Sequence, residues 1–144
     1  MIKSYNEERF RVDLGYAIKG YEGLRLKPYR CIKGVLTIGY GRNLEANGIS
    51  LDEAEYLFQN DLRVAIEGCR GRIEFFKELP VEAQKVLVNM AFQLGVEGLL
   101  KFKKTLQYLE QRDFASAADE MLDSHWARET PGRARELSDI IRAL

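Results

Sequence analysis

Residues 22–41 read EGLRLKPYRCIKGVLTIGYG, and within this stretch the chain changes from a helical pattern to a strand pattern. Upstream of it, apolar residues between positions 7 and 22 recur every three or four residues, and Gly23 ends that pattern. Strand-favouring residues then occupy 29–43, interrupted by the turn pair Lys33-Gly34. The pattern therefore predicts an amphipathic helix followed by a short antiparallel hairpin.

The rest of the chain has the patterns of helices. Ser50 and Glu53 have the spacing of a capping box, which opens a helix that Gly68 is expected to close. The segment 81–93 is apolar nearly all round, as is typical of a central, buried helix. Further helices are predicted at three places: over 98–111, over 114–123 with Asp113 as the cap, and from the N-cap and proline pair Thr130-Pro131 onward.

These elements predict a single α+β domain over residues 1–144 that is mostly α and has two lobes. The N-terminal lobe covers about 14–50 and contains the hairpin, and 51–68 form the linking helix. Residues 69–144 form a helical lobe, and 1–13 are expected to pack with the N-terminal helix region. A cleft between two lobes is a common place for a binding site.

Composition and charge exclude several classes of protein. The chain has 144 residues, 46% of them hydrophobic, and its 22 basic and 22 acidic residues balance. A balanced charge argues against binding nucleic acid by bulk electrostatics. The charge is uneven, with nine Lys/Arg and five Asp/Glu in residues 1–45, a net +4. Two cysteines and one histidine match no metal site, and no apolar stretch is long enough to insert stably in a membrane.

Four side chains could carry chemistry. Glu22 ends a helix, where the partial negative charge of the helix terminus disfavours a carboxylate and suits a proton donor. Arg133 lies in the first turn of the last helix, where a cation is disfavoured, so an acid elsewhere in the chain is one explanation and simple exposure is the other. Cys31 and Thr37 lie on the hairpin, and taken alone each fits a structural role.

The order of these motifs resembles the phage-type lysozymes, the muramidase endolysins of glycoside hydrolase family 24. Their catalytic pattern is Glu, eight residues, Asp or Cys, five residues, Thr, and Glu22, Cys31 and Thr37 have these spacings. The resemblance continues through 89–95 and 126–134 and covers nearly everything from about residue 14 onward. It implies a lysozyme-like fold with a small hairpin lobe and a helical lobe joined by a long helix.

The resemblance also implies roles for individual residues. Glu22 matches the general acid, Thr37 the residue that helps hold the attacking water, and Arg133 the supporting arginine that pairs with the catalytic glutamate. The positions that match the lining of the saccharide cleft are Asn43, Phe92, Gln93 and Thr105. Two departures stand out: the region between Arg42 and Ser50 is short, and Glu120 replaces a cleft asparagine of some relatives.

The activity that the resemblance implies is hydrolysis of the β-1,4 bond between N-acetylmuramic acid and N-acetylglucosamine in peptidoglycan. Cys31 then has two possible roles. As a thiolate it supplies negative charge or attacks the anomeric carbon, and as a neutral thiol it only helps to place water, so both retention and inversion stay open.

Two alternatives remain: a lytic transglycosylase on the same substrate, and a non-catalytic wall-binding module. No cofactor, metal, nucleic acid or membrane insertion is expected, and the chain is predicted to act as a monomer. The first residues lack the apolar region of a signal peptide, so the expected location is the host cytoplasm until a phage holin opens the membrane.

Overall fold

The part of the chain that the structure describes is mostly helical and includes a small sheet. The structure, a computed structural model, describes residues 6–144. Its elements are α1 (Glu7–Glu22), β1 (Arg25–Arg30), β2 (Leu36–Gly39), β3 (Arg42–Asn43), α2 (Leu44–Asn47), α3 (Leu51–Arg72), a 3₁₀ helix (Phe76–Glu78), α4 (Val81–Leu100), α5 (Lys103–Glu110), α6 (Phe114–Leu122), α7 (His125–Glu129) and α8 (Pro131–Arg142). The predicted class, α+β and mostly α, is confirmed.

The chain divides into two compact units after Ala54, and each is described by itself. In the first unit, α1 begins where the side chain of Asn6 accepts a hydrogen bond from the backbone N–H of Arg9. It ends at Gly23, whose φ of 71° stops the helix. The prediction of a helix over 7–22 is confirmed. Residues 1–13 are predicted to pack with the N-terminal helix region. Residues 1–5 lie outside the described residues, so this prediction is not tested for them.

The sheet of the first unit is antiparallel, with strand order β1-β2-β3. The predicted hairpin over 29–43 is confirmed, although β1 begins earlier, at Arg25, and a short third strand follows. Thr37 on the central strand pairs with Tyr29 on one side and with Asn43 on the other. The hairpin turn closes through Cys31, whose N–H donates to the carbonyl of Val35 at 3.0 Å.

The capping box at the start of α3 is confirmed. The backbone N–H of Glu53 donates to the Ser50 hydroxyl at 3.2 Å, and the Glu53 carboxylate accepts from the N–H of Ser50 at 2.8 Å. The predicted end of this helix at Gly68 is wrong, because α3 continues to Arg72. Gly68 serves packing instead, since a Cβ there would overlap the side chain of Val96.

The second unit is built around α4, as the apolar pattern predicts. Its buried residues Val86, Leu87 and Met90 belong to one hydrophobic core with side chains from α3, α5, α6, α7 and α8. The helix reaches Leu100 through a kink at Gly95, where φ is 74°. The predicted boundary at 98 is therefore wrong: 98–100 belong to α4, and α5 begins at Lys103.

The C-terminal part follows the predicted helix starts with one difference. Asp113 caps α6 by accepting from the N–H of Ser116, as predicted. Pro131 is the first residue of α8, but the hydroxyl of Thr130 makes no cap, because it donates to the carbonyl of Trp126 at 3.0 Å. None of the helices within residues 6–144 has the length and hydropathy needed to cross a membrane.

Candidate active site

Glu22 lies at the end of α1, and its side chain reaches the loop that joins β2 to β3. A Cβ on Gly41 would overlap the carboxylate of Glu22, so the carboxylate occupies the space that a side chain would take at this position. Gly41 also has a φ of 73°, which disfavours any other residue. The missing side chain therefore lets the acid lie directly against the loop backbone.

Cys31 follows β1 and opens the hairpin turn. Hydrogen bonds from the backbone of Val35 and then of Lys33 hold the pKa of the Cys31 thiol below its ordinary value, and Thr37 contributes a smaller lowering. Successive N–H groups in a turn form a concavity that favours an anion. The turn geometry therefore favours the thiolate form of Cys31.

The second cysteine provides a contrast within the same chain. Cys69 lies on α3 and is fully buried, and burial raises the pKa of its thiol to about 11. A buried thiol of this kind is inert at neutral pH. The opposite shifts of the two thiol pKa values therefore distinguish a structural cysteine from a candidate functional one.

Thr37 is buried at the centre of the sheet, with 5% of its surface exposed. Its hydroxyl donates to the carbonyl of Val35 at 2.9 Å. A hydroxyl has one proton and two lone pairs, so while this bond holds, Thr37 acts as an acceptor toward a water.

Asn43 pairs with Thr37 across the sheet and caps α2. Its side-chain oxygen accepts from the N–H of Ala46 at 2.9 Å. This leaves the amide NH₂ group as the part of Asn43 that is available for a sugar hydroxyl.

Arg42 stabilises the loop that carries Gly41 through an ion pair and a backbone hydrogen bond. Its guanidinium donates to the Glu53 carboxylate at 2.8 Å and to the carbonyl of Gly48 at 3.2 Å. Hydrogen bonds from Ser50 and then from Arg42 hold the pKa of Glu53 below its ordinary value. Arg42 therefore ties β3 to the start of α3.

The other candidate residues lie in the second unit. The ring of Phe92 lies 5.5 Å from that of Phe58, between centroids. Gln93 accepts a hydrogen bond from the indole N–H of Trp126 at 2.9 Å, which fixes the side chains of both residues. Thr105 is buried in α5, with 2% of its surface exposed. Of these side chains, Gln93 is therefore oriented by a hydrogen bond, and Phe92 packs against a second ring.

Arg133 is held by a residue that the sequence did not single out. Its Nε and Nη2 donate to the side-chain oxygen of Asn89 at 2.9 and 2.6 Å, and Nη2 also donates to the Asn89 carbonyl at 3.0 Å. Arg133, Asn89 and Phe92 line one pocket of about 550 Å³ within the second unit. Because 44 positions separate Arg133 from Asn89, local sequence patterns carry no signal of this contact.

Within residues 6–144 the structure has no group of three or more His, Cys, Asp or Glu side chains arranged to hold a metal ion.

Comparison with known proteins places these residues in a family. The family model for phage lysozyme matches residues 19–140. Probable T4-type lysozyme 1 of Dictyostelium discoideum is 31% identical, over 86% of this chain and 90% of the relative. An endolysin of Bacillus phage B103 is 32% identical over 73% of this chain and 41% of its own length. The chain belongs to the phage lysozyme family, and it is a lysozyme-type cell-wall hydrolase.

Proposed function

We propose that the chain hydrolyses the β-1,4 bond between N-acetylmuramic acid and N-acetylglucosamine in bacterial peptidoglycan, with Glu22 as the general acid. The main support for the proposal is the close approach of the Glu22 carboxylate to Gly41, in the compact unit that also contains Cys31 and Thr37. A carboxyl group that donates its proton to the glycosidic oxygen lowers the barrier to departure of the leaving sugar.

Cys31 and Thr37 are proposed to act on the anomeric carbon. The transition state has oxocarbenium character, so the thiolate that the turn favours would stabilise it electrostatically. Thr37 presents an acceptor that can orient a water. Asn43, Phe92, Gln93 and Thr105 are proposed to bind the saccharide, and Arg133 to support the site.

Two routes differ in the stereochemistry of the product. If the Cys31 thiolate attacks, a C–S bond forms as the C–O bond breaks, the Glu22 proton passes to the leaving oxygen, and water then releases the sugar with retention. If water attacks directly, the configuration inverts. NMR of the first-formed anomer distinguishes them, because a β product requires the covalent route and an α product excludes it.

Mass spectrometry of the fragments tests the proposed reaction. Hydrolysis adds one water to each cleaved bond, so we expect reducing muramic-acid ends from the wild type. The variant Glu22→Gln should release almost none, because it has no proton to donate. Anhydro-sugar ends would instead show a transglycosylase, and an absence of fragments from the wild type would show a binding module.

We also propose that the chain lyses its host from within as a monomer and reaches the wall after a holin has opened the membrane. Expression with a holin should then lyse cells, whereas expression of the chain alone should leave the culture intact. Lysis without a holin would contradict this step.

A further inference from the structure

The turn that carries Cys31 is held at both ends by side chains outside the predicted catalytic set. The turn covers residues 31–35 and joins β1 to β2. Its backbone closes it, because the N–H of Cys31 donates to the carbonyl of Val35 at 3.0 Å and the N–H of Gly34 donates to that of Cys31 at 2.8 Å. Side-chain hydrogen bonds to this turn are therefore additional to those that form the hairpin.

Arg30, the last residue of β1, bonds to the turn from its N-terminal end. Its Nη1 donates to the carbonyl of Gly34 at 2.9 Å and to Oε1 of Glu45 at 3.0 Å. Successive side chains along a strand point to opposite faces, so we expect the guanidinium to lie on the face opposite the Cys31 side chain. Arg30 therefore acts on the turn through a backbone carbonyl.

Glu45 bonds to the other end of the turn, from the first turn of α2. Its Oε1 accepts from the backbone N–H of Leu36 at 3.1 Å as well as from Arg30. Leu36 pairs with Arg30 across β1 and β2, and it lies one residue before the pair that Thr37 and Asn43 form. One carboxylate oxygen therefore links the last residue before the turn to the first residue after it.

The bond from Arg30 fixes the orientation of one particular peptide group. The carbonyl of Gly34 and the N–H of Val35 belong to the same planar group. Gly34 has a φ of 77°, and glycine has the greatest backbone freedom, so this peptide is the part of the turn that rotates most easily. The hydrogen bond from the backbone of Val35 is the largest cause of the lowered pKa of the Cys31 thiol. Holding the carbonyl therefore also holds the donor that favours the thiolate.

Resting on the hydrolase function proposed above, we propose that Arg30 and Glu45 are positioning residues for Cys31, because they hold the peptide between Gly34 and Val35 in the orientation that directs its N–H at the sulfur. The side chains of Arg30 and Glu45 are 65% and 49% exposed. An exposed ion pair adds little to the free energy of unfolding. The pair therefore matters for the geometry of the turn more than for the stability of the fold.

Two variants of Glu45 separate hydrogen bonding from charge. Glu45→Ala and Glu45→Gln remove the same negative charge, but both hydrogen bonds of Glu45 end on Oε1, so the single amide oxygen of glutamine can still accept them. The measurement is the pH dependence of Cys31 alkylation by iodoacetamide in the whole chain. We expect Glu45→Ala to raise the midpoint toward the ordinary value of about 8.5, and Glu45→Gln to keep the wild-type midpoint.

The sign of the shift decides between the two explanations. Loss of a carboxylate near a thiol favours the thiolate, so a role of Glu45 through charge alone would lower the midpoint in both variants. An unchanged or lowered midpoint in Glu45→Ala, or equal shifts in the two variants, would overturn the inference. The control Glu8→Ala removes an exposed acid of α1 and should keep the wild-type midpoint. Near-ultraviolet circular dichroism confirms that each variant is folded.

A second readout connects the turn to catalysis. Displacement of a reacting group by 1 Å lowers a rate by up to about 100-fold. We expect Glu45→Ala, which loosens the turn without removing Cys31, to lower kcat on soluble peptidoglycan by about tenfold with KM near that of the wild type. Glu45→Gln should restore kcat, which a role of the charge alone would not allow.

The two readouts also separate this inference from the proposed function. A raised midpoint with an unchanged kcat would support the positioning of Cys31 and contradict its proposed part in the reaction. Wall cleavage by Glu22→Gln at the wild-type rate would contradict the proposed general acid. Cleavage that depends on Glu22, together with a Cys31 midpoint that does not respond to Glu45→Ala, would contradict only the positioning role of Arg30 and Glu45.

Discussion

At the scale of single residues, Gly39 and Gly41 offer a matched pair of substitutions. Both have positive φ, 69° and 73°, so alanine strains the backbone by about 1 kcal/mol at either position. A Cβ at Gly39 meets open space, whereas a Cβ at Gly41 would overlap the Glu22 carboxylate. We expect Gly41→Ala to lower kcat by about 100-fold through displacement of the acid, and Gly39→Ala to keep kcat near that of the wild type.

The measurement is kcat and KM on soluble peptidoglycan, together with the free energy of unfolding of both variants. A similar loss of stability in the two, with loss of kcat in Gly41→Ala alone, separates positioning of the acid from general strain. If Gly41→Ala and Gly39→Ala have equal kcat values, the space at Gly41 has no part in catalysis.

The two cysteines should differ in their reaction with iodoacetamide. Only the thiolate reacts, and the turn lowers the pKa of Cys31. We expect its alkylation rate to reach half its maximum at a pH below about 8.5, the midpoint of an ordinary cysteine. Cys69, with its pKa raised to about 11 by burial, should react only after unfolding. Mass spectrometry of peptides measures both rates, and faster labelling of Cys69 would contradict the assignment.

The lowered pKa of Cys31 also fixes the direction of its effect on stability. A group whose folded-state pKa is depressed contributes stability that is present above its ordinary pKa and lost as the pH falls through the folded value. Replacement of Cys31 by Ser should therefore remove a stabilising effect at alkaline pH and have little effect at acidic pH.

At the scale of helices, two glycines of α3 make a second matched pair. Gly71 has open space where a Cβ would lie, so Gly71→Ala should raise the free energy of unfolding by about 0.5–1 kcal/mol through helix propensity. Gly68→Ala should lower it, because the added Cβ would overlap the stiff side chain of Val96. Urea unfolding measures both, and a stabilising Gly68→Ala would show that α3 and α4 can separate at no cost.

Elements whose boundaries depend on local chemistry could be predicted from the sequence. The bounds of α1, the capping box of Ser50 and the cap at Asp113 follow from side chains within four residues of each helix end. Gly68 and Gly95 could not be interpreted in this way. A glycine is compatible with a helix end, a close contact or a kink, and only tertiary packing decides among them. The five-residue helix α7 was missed, because so short a segment has almost no periodicity.

The candidate site likewise contains residues that could be predicted from the sequence and neighbours that could not. The resemblance to the phage-type lysozymes singles out Glu22, Cys31 and Thr37 in the sequence, and the structure adds contacts of the candidate residues with distant parts of the chain. Gly41 lies against Glu22, 19 positions away in the sequence. Asn89 accepts hydrogen bonds from Arg133, 44 positions away. Contacts over such separations depend on the fold, so local patterns carry no trace of them.

At the scale of the whole molecule, the uneven charge predicts a salt effect. Residues 1–45 carry a net +4, although the chain as a whole is neutral. Peptidoglycan and its attached polymers are anionic, so weak electrostatic steering should speed association at low salt. We expect lytic activity to fall as the salt concentration rises from about 0.01 to 0.15 M, because the Debye length shortens from about 30 to 8 Å over this range.

The free energy of unfolding, measured at the same salt concentrations, serves as the control. Activity independent of salt would show that the basic segment plays no part in steering.

Glu22 is proposed to donate the proton that breaks the glycosidic bond. The most direct test of this proposal is the rate at which reducing ends are released from purified peptidoglycan by Glu22→Gln, beside Glu8→Gln, which removes an exposed acid from the same helix. Loss of a general acid should lower the rate by about 100-fold or more. We expect this loss for Glu22→Gln with an unchanged fold, and a wild-type rate for Glu8→Gln. A wild-type rate for Glu22→Gln would show that Glu22 is not the general acid.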